Sequence, residues 1–219
     1  MLIILLVTNI KIKDQICDLN VGNLQFDCDC SIIFCVNIKY LFEKRQKGAL
    51  FMKKFEGFQH GVNLGGWISQ FAKYDTKHFD TFITKEDIAY IASLGFDHVR
   101  VPVDYNVLED EEGNLIPTGF NYLMNCCNWC KEYHLHMLID LHECYGYSFD
   151  PMKKDMDRRA FFYDEALQAR FLKLWVKIAE TFKDEQDTVA FEPLNEVVLQ
   201  EVAEAWNGIV KKYIQTIRE

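Results

Sequence analysis

The chain has 219 residues, of which 49% are hydrophobic and 26% are charged, and its formal net charge is −9 at pH 7. This composition is typical of a globular protein and argues against a disordered or fibrous chain. An acidic balance with no basic stripe gives no attraction to a phosphate backbone, so nucleic acid is not an expected partner.

The N-terminal segment, residues 1–51, shows no clear hydrophobic period. Its opening apolar run, residues 1–7, is too short to span a membrane and lacks both the basic start and the cleavage site of a signal peptide. The cytoplasm is therefore the default location, with secretion as the alternative, and no membrane partner is expected. Because a regular pattern begins just after Met52, we predict that residues 52–219 form the folded domain. Residues 1–51 are then either an N-terminal extension or the product of a mis-called start, with Met52 as the natural first residue.

Two strand and helix units open the folded domain. A first short strand is predicted over residues 60–64, before a pair of glycines. Thr84 and Asp87 have the spacing of a capping box, which predicts the start of a helix. A second strand is predicted over residues 96–103. Its valines share one face, so the period of two turns Arg100 to the opposite face, toward the interior of a barrel.

Two further units follow. A strand predicted over residues 135–142 is almost continuously apolar, as parallel strands buried on both faces are. A long helix over residues 160–183, a fourth strand over residues 189–194 and a last helix from about residue 200 complete the pattern. One stripe of the long helix is apolar and is predicted to face the core. It comprises Leu167, Phe171, Trp175, Ile178 and Phe182.

The cysteines are predicted to be reduced thiols that pack in the core. Cys126, Cys127 and Cys130 lie with Leu123 on one face of a helix predicted over residues 118–133, where a free thiol packs as a small hydrophobic group. A Cys-x-x-Cys pair without a second pair or suitably spaced His gives no ligand set for zinc. We therefore predict no metal site.

The alternation of strands and helices predicts the α/β class with a parallel sheet, either a barrel or a doubly wound sheet. The dinucleotide fingerprint G-x-G-x-x-G does not follow the first strand. Polar residues instead stand near the ends of different strands, as they do in the active site of a TIM (β/α)8 barrel. They are Arg100, His142, Asn195 and Glu196. The sequence thus favours a TIM barrel truncated to about its first four βα units.

Asn195 and Glu196 end the fourth strand with an amide beside a carboxyl. A carboxyl at such a place can protonate a glycosidic oxygen, which is the acid step of glycoside hydrolysis. The structural alternative is a solvated carboxylate in the first turn of a helix, where acidic residues are favoured.

Arg100 and His142 each have a structural alternative to a role in the site. Arg100 lies among valines in a strand and could instead form an ion pair with Asp140 or Glu192. His142 could be a hydrogen-bonded core histidine. His142 and Glu143 do not form a His-Glu-x-x-His motif, so a zinc hydrolase is not predicted.

Four aromatic residues fall just after predicted strands, where flat rings with polar rims can stack on sugar rings. They are Trp67, Tyr105, Tyr145 and Tyr147. Packing in the core is the alternative for each of them.

Five stretches, in order along the chain, together resemble glycoside hydrolase family 5, the cellulase family, and in particular its clostridial endoglucanase members. They are GVNLGGWIS at 61–69, HFDTFIT at 78–84, GFDHVRVP at 95–102, DLH at 140–142 and FEPLNE at 191–196. Their spacing is that of the first four βα units of the family. The resemblance implies an endoglucanase that hydrolyses β-1,4-linked glucan with retention of anomeric configuration and without a cofactor.

The resemblance also implies roles for the site residues. Glu196 would be the general acid/base, Asn195 would hydrogen-bond the 2-hydroxyl of the sugar, Arg100 would orient the nucleophile carboxylate, and His142 would shape the −1 subsite. Glu143 departs from the family pattern, since many members have a second His at this position.

The nucleophile of the family is a glutamate on the seventh strand, which lies beyond these four units. We therefore expect the chain by itself to be inactive, with two open strand edges and with much of the apolar stripe of the long helix exposed. A non-catalytic glucan-binding or non-functional barrel fragment is the first alternative. A β-mannanase or an exo-β-1,3-glucanase of the same family is the second.

Overall fold

The computed structural model describes residues 2–5, 34–35, 56–150, 153 and 156–218. Two short strands lie near the N-terminus: β1 (Leu2–Leu5) and β2 (Phe34–Cys35), which pair with each other in antiparallel fashion. The rest of the N-terminal segment lies outside the described residues. The division of the chain at Met52 therefore stays a prediction.

Four parallel strands carry the remainder of the sheet, as the sequence predicts. They are β3 (Gly61–Asn63), β4 (His98–Asp104), β5 (His136–Glu143) and β6 (Val189–Glu192). These strands are neighbours in chain order, and β1 pairs in parallel with β6, so the order across the sheet is β2-β1-β6-β5-β4-β3. The expectation of two open strand edges is therefore wrong for β6, because β1 pairs with it. The prediction of a parallel α/β sheet is confirmed for the described part of the chain.

Helices separate the strands. They are α1 (Thr76–Thr81), α2 (Lys85–Ser93), α3 (Tyr105–Leu108), α4 (Pro117–Glu132), α5 (Ala160–Tyr163), α6 (Glu165–Thr181) and α7 (Ala203–Thr216), the last preceded by a 3-10 turn (Gln200–Val202). The predicted capping box of α2 is confirmed, because the backbone N–H of Thr84 donates to Asp87 Oδ2 at 2.8 Å. The short helices α1 and α3 were not predicted.

The prediction of one continuous helix over residues 160–183 is wrong. Asp164 has extended backbone angles and its Oδ1 accepts hydrogen bonds from the backbone N–H groups of Ala166 and Leu167. An Asp in this position is an N-cap, so a new helix begins after it. The segment therefore forms two helices, α5 and α6.

The apolar stripe of α6 is buried, contrary to the expectation that it would be exposed. Phe171, Trp175 and Ile178 are at most 2% exposed. The last helix, α7, covers them with two aromatic residues. Trp206 lies 6.5 Å from Phe171 and Tyr213 lies 5.1 Å from Trp175 between ring centroids. The chain thus covers this face with its own C-terminal helix.

The thiols of Cys126, Cys127 and Cys130 are buried in the core, as predicted, and are free. Among the described residues, no group of three His, Cys, Asp or Glu side chains is arranged to hold a metal ion. None of the described helices is long and apolar enough to cross a membrane.

Candidate active site

The register of three strands brings polar side chains together at the end of the sheet where the parallel strands have their carboxyl ends. Asp140 on β5 is the pairing partner of Pro102 on β4 and of Glu192 on β6. Because parallel strands end at the same edge, the side chains that follow each strand also meet there. This edge is where the sequence placed the candidate site.

Arg100 connects the polar groups of this edge. Its Nε and Nη2 atoms donate to the two carboxylate oxygens of Glu192 at 2.7 and 2.9 Å. Nη2 also lies 2.7 Å from Asp140 Oδ2 and donates to Asn195 Oδ1 at 2.9 Å. Nη1 donates to Asn63 Oδ1 at 2.8 Å. The structure therefore brings Arg100 and Asn195 together, as predicted. Arg100 also binds Glu192 through both of its carboxylate oxygens.

The carboxylates around Arg100 are buried, with Glu192 1% exposed and Asp140 0% exposed. Burial and the neighbouring charge of Asp140 raise the pKa of Glu192, and the hydrogen bond to Arg100 opposes that rise. The ion pairs that the sequence left as an alternative for Arg100 are thus formed. Its role toward a nucleophile carboxylate stays a prediction.

His142 is largely buried beside Asp140, with Nδ1 2.8 Å from Asp140 Oδ2. Since a carboxylate only accepts, Nδ1 carries the proton and Nε2 is left as the acceptor of the neutral ring. Burial lowers the pKa of His142, but the hydrogen bond and charge of Asp140, with the charge of Asp104, outweigh burial, so the pKa is raised. Asp140 therefore orients both His142 and Arg100.

Glu196 lies four residues beyond the end of β6 and is half-buried. Two contacts hold the segment that leads to it. The backbone N–H of Asn195 donates to Leu141 O at 3.1 Å, and Trp175 Nε1 donates to Pro193 O at 3.0 Å. Because Pro193 follows β6, its missing N–H costs the sheet no hydrogen bond.

The charge of Glu196 contributes to the pKa of Arg100. Burial lowers the pKa of Arg100, but the charges and hydrogen bonds of its carboxylate neighbours, Glu196 among them, raise it above its ordinary value. The hydrogen bonds and ion pairs bring together Arg100, Asn195 and, through Asp140, His142. Glu196 follows Asn195 directly in the chain.

Two of the predicted sugar-stacking residues lie in the core instead. Trp67 and Tyr147 are each 1% exposed. Trp67 Nε1 donates to Phe79 O at 2.7 Å, and the Tyr147 hydroxyl donates to Glu196 O at 2.7 Å. A ring enclosed in this way has no open face for a sugar, because the chain after each strand turns these side chains inward.

The other two aromatic residues, Tyr105 and Tyr145, are half-buried near the ends of β4 and β5. Their rings are nearly perpendicular, at 87°, with centroids 5.7 Å apart. The guanidinium of Arg170 stacks on Tyr145 at 3.7 Å from the ring centroid and is itself held by Glu109 Oε1 at 2.7 Å. Arg170 thus holds the ring of Tyr145 in place, and we call Tyr105 and Tyr145 together the aromatic corner. Both rings lie just after strands, as predicted.

Asp104 and Glu143 form a carboxyl pair beside the site that the sequence reading did not include. They are pairing partners at the ends of β4 and β5. Asp104 is 6% exposed, and its Oδ2 accepts a hydrogen bond from the backbone N–H of Gln70 at 2.9 Å. Its Oδ1 has no partner among the described residues, whereas Glu143 is held by Ser148 and Lys153. The signal for the pair was the polar residue at the end of each apolar strand.

The pKa of Asp104 predicts a dependence of stability on pH. Burial, and then the charge of Glu143, raise the pKa of Asp104 to about 7. The unfolded value is about 3.9, so between these values the folded chain holds a proton that the unfolded chain has released. The free energy of unfolding should therefore fall as pH rises through this window.

Asp104→Asn should remove that fall while keeping an acceptor for Gln70. Relative to the unsubstituted chain, its free energy of unfolding should rise by about 3 kcal/mol between pH 5 and pH 8. Urea unfolding at the two pH values measures this, with the exposed Asp184→Asn as the control. A difference between Asp104→Asn and the unsubstituted chain that stays constant with pH would contradict the assignment.

The sequence is similar to that of known glycoside hydrolases. The sequence model of the cellulase family, glycosyl hydrolase family 5, matches residues 58–219. Endoglucanase C of Acetivibrio thermocellus is 42% identical over 164 residues, which cover 74% of this chain and 46% of that protein. Cellodextrinase A of Ruminococcus flavefaciens is 39% identical over 168 residues, covering 77% of this chain and 49% of that protein. The chain thus spans about half the length of these curated relatives.

Solved structures show the same fold. A glycoside hydrolase family 5 enzyme from Prevotella bryantii superposes with a TM-score of 0.59 at 20% identity, covering 78% of this chain and 55% of that one. Endoglucanase Cel5A from Thermotoga maritima gives a TM-score of 0.58 at 24% identity, covering 74% and 48%. The prediction that the chain forms part of a TIM barrel is confirmed.

Proposed function

The chain belongs to glycosyl hydrolase family 5, and on that premise we propose that it carries the acid/base side of a retaining endo-β-1,4-glucanase site. The observation that supports this most is the hydrogen bond from Arg100, on β4, to Asn195 Oδ1 beyond the carboxyl end of β6, where Glu196 is the next residue in the chain. In TIM barrels the chemistry is done at this end of the strands.

Each side chain has an atom available for the proposed role. Glu196 donates a proton to the glycosidic oxygen as the bond breaks, and then accepts one from water. The Oδ1 of Asn195 is occupied by Arg100, so its Nδ2 is left to donate to the sugar 2-hydroxyl. The Nε2 of His142 is left to hydrogen-bond a sugar hydroxyl, as acceptor in the neutral ring or as donor in the protonated one, because Nδ1 is occupied by Asp140.

Retention also needs a nucleophile carboxylate about 5 Å from the acid. Within the described residues, Asp140 and Glu192 are bound to Arg100, and Asp104 and Glu143 lie on β4 and β5. We therefore propose that these 219 residues by themselves hydrolyse no glucan. The alternative is a non-catalytic glucan-binding role, which the aromatic corner of Tyr105 and Tyr145 supports because it lies wholly within this chain.

The substrate class can be tested in a hybrid barrel, in which residues 52–219 are joined to the part of Endoglucanase C that this chain does not match, so that β1 does not occupy the side of β6 that the next strand must pair with. Soluble β-1,4-glucan should be cleaved faster than mannan or β-1,3-glucan, and NMR should detect the β-anomer of the new reducing end first. A folded hybrid that prefers mannan or β-1,3-glucan would favour the alternative activities. A folded hybrid that cleaves none of them would contradict the proposal.

Tyr145→Ala should weaken binding of β-1,4-glucan by about tenfold, because stacking on an aromatic ring contributes roughly 1 to 1.5 kcal/mol. Retardation of the 219-residue chain in native gels that contain soluble glucan measures this. Tyr90→Ala is the matched control, since Tyr90 is 65% exposed on α2. Equal retardation of Tyr145→Ala and the unsubstituted chain would remove Tyr145 from the binding surface.

A further inference from the structure

A tight turn after β5 directs two tyrosines to different places. Cys144 and Tyr147 exchange backbone hydrogen bonds at 3.2 and 2.9 Å. Gly146 completes the turn with φ 86°, and a Cβ there would lie 2.7 Å from Leu167 Cδ1, so the turn needs glycine. Tyr145 is left half-buried near Tyr105, whereas Tyr147 enters the core.

The ring of Tyr147 is fixed by its neighbours. Phe162 and Phe161 lie 5.3 and 6.1 Å from it between ring centroids. Burial raises the pKa of Tyr147 well above its ordinary range, so the phenol keeps its proton as a donor. That proton is donated to Glu196 O at 2.7 Å. A rigid core residue thus holds the backbone of the proposed acid.

Glu196 has a backbone conformation that an L-residue rarely adopts. Its φ is 50°, in the left-handed region that favours glycine because a Cβ crowds the following carbonyl. Residues held in this region persist when surrounding contacts determine them, and they occur often at functional sites. The hydrogen bond from Tyr147 restrains the carbonyl of Glu196, and so its ψ, and the backbone conformation in turn sets the direction of the Cα–Cβ bond.

We propose that Tyr147 is a positioning residue: its hydroxyl holds Glu196 in the left-handed conformation that sets the direction in which its side chain leaves the backbone. The functional part of this inference rests on the proposed acid role of Glu196. The conformational part does not, and it can be measured without any activity.

NMR of the 219-residue chain reads the backbone of Glu196 through its ¹³Cα and ¹³Cβ shifts and its N–H to Hα coupling. Tyr147→Phe keeps the ring and removes the hydroxyl, so Glu196 should move from left-handed to extended values. Tyr213→Phe is the matched control, because Tyr213 is another buried tyrosine whose hydroxyl has no partner among the described residues. It should leave Glu196 unchanged. A left-handed Glu196 in Tyr147→Phe would overturn the proposal.

A second measurement uses the unsubstituted chain, in case Tyr147→Phe does not fold. The buried hydroxyl proton of Tyr147 should exchange slowly enough to give its own resonance. That resonance should show a nuclear Overhauser effect to the backbone N–H of Val197, the residue that follows Glu196. A Tyr147 hydroxyl that exchanges as fast as that of an exposed tyrosine would also overturn the proposal.

The hybrid barrel separates this inference from the proposed function. There, Tyr147→Phe should lower kcat on unactivated glucan about tenfold or more with little change in KM, because a displaced acid still allows substrate to bind. If Glu196→Gln abolishes activity but Tyr147→Phe does not lower it, the positioning role is wrong and the acid role stands. If Glu196→Gln has no effect, the acid role is wrong, and the NMR result still decides the conformational part.

Discussion

Glu196→Gln in the hybrid barrel should lose activity on unactivated β-1,4-glucan by about a hundredfold to ten-thousandfold, which is the range that general acid catalysis contributes. Glutamine keeps the size of the side chain but cannot release a proton to the leaving oxygen. An aryl glycoside with a good leaving group needs little protonation, so its first bond cleavage should be much less affected. The ratio of the two rates therefore reports the acid role itself.

The control for this prediction is Glu201→Gln, which removes an exposed carboxylate only five residues further along the chain. It should leave both rates near those of the unsubstituted hybrid. Equal loss of activity on glucan and on the aryl glycoside in Glu196→Gln would indicate a structural role for Glu196.

Arg100→Lys should reduce hydrolysis of glucan by at least about a hundredfold. A lysine offers a single charged point, whereas the guanidinium fork makes two hydrogen bonds to Glu192 and reaches Asp140 and Asn195 from the same group. Loss of an oriented electrostatic contact of this kind is worth about 3 kcal/mol in a transition state. Turnover of the folded hybrid, measured well below its melting temperature, tests this.

The structure predicts that this substitution also lowers stability. Glu192 and Asp140 are almost fully buried, so weakening their pairing with Arg100 should also cost about 2 kcal/mol of unfolding free energy. Arg159→Lys is the control, since its pair with Asp157 is on the surface, and it should change neither property. Lower stability with near-normal turnover would show that Arg100 is a structural ion-pair residue.

Periodicity was sufficient to predict the four strands β3 to β6 and to place Arg100 in the site, but it gave no sign of β1 and β2. The alternation of valines in β4 turns Arg100 to the opposite face, and that face is where it meets Glu192. Periodicity could not predict where a helix begins within an apolar stripe, because a local hydrogen bond determines that. The apolar stripe runs through α6, but the side chain of Asp164 starts a new helix inside the segment that looked continuous.

The direction of side chains after each strand could not be read from the sequence. Tyr145 and Tyr147 are two residues apart in one turn, yet the first stands at the mouth of the site and the second in the core. The left-handed backbone of Gly146 makes that difference, and a Cβ at this position would also meet Leu167 from another helix. Contacts between residues distant in sequence likewise determined the partners of Arg100 and the burial of Asp104.

We propose that this chain carries the acid/base side of a family 5 site and needs a nucleophile that its described residues do not supply. The most direct measurement compares release of reducing ends from soluble β-1,4-glucan by the chain by itself, by the hybrid barrel, and by the hybrid barrel with Glu196→Gln. We predict no release above background from the chain, measurable release from the hybrid, and loss of that release in Glu196→Gln. Hydrolysis by the folded 219-residue chain itself would contradict the claim, because it would show that a complete pair of catalytic carboxylates lies within these residues.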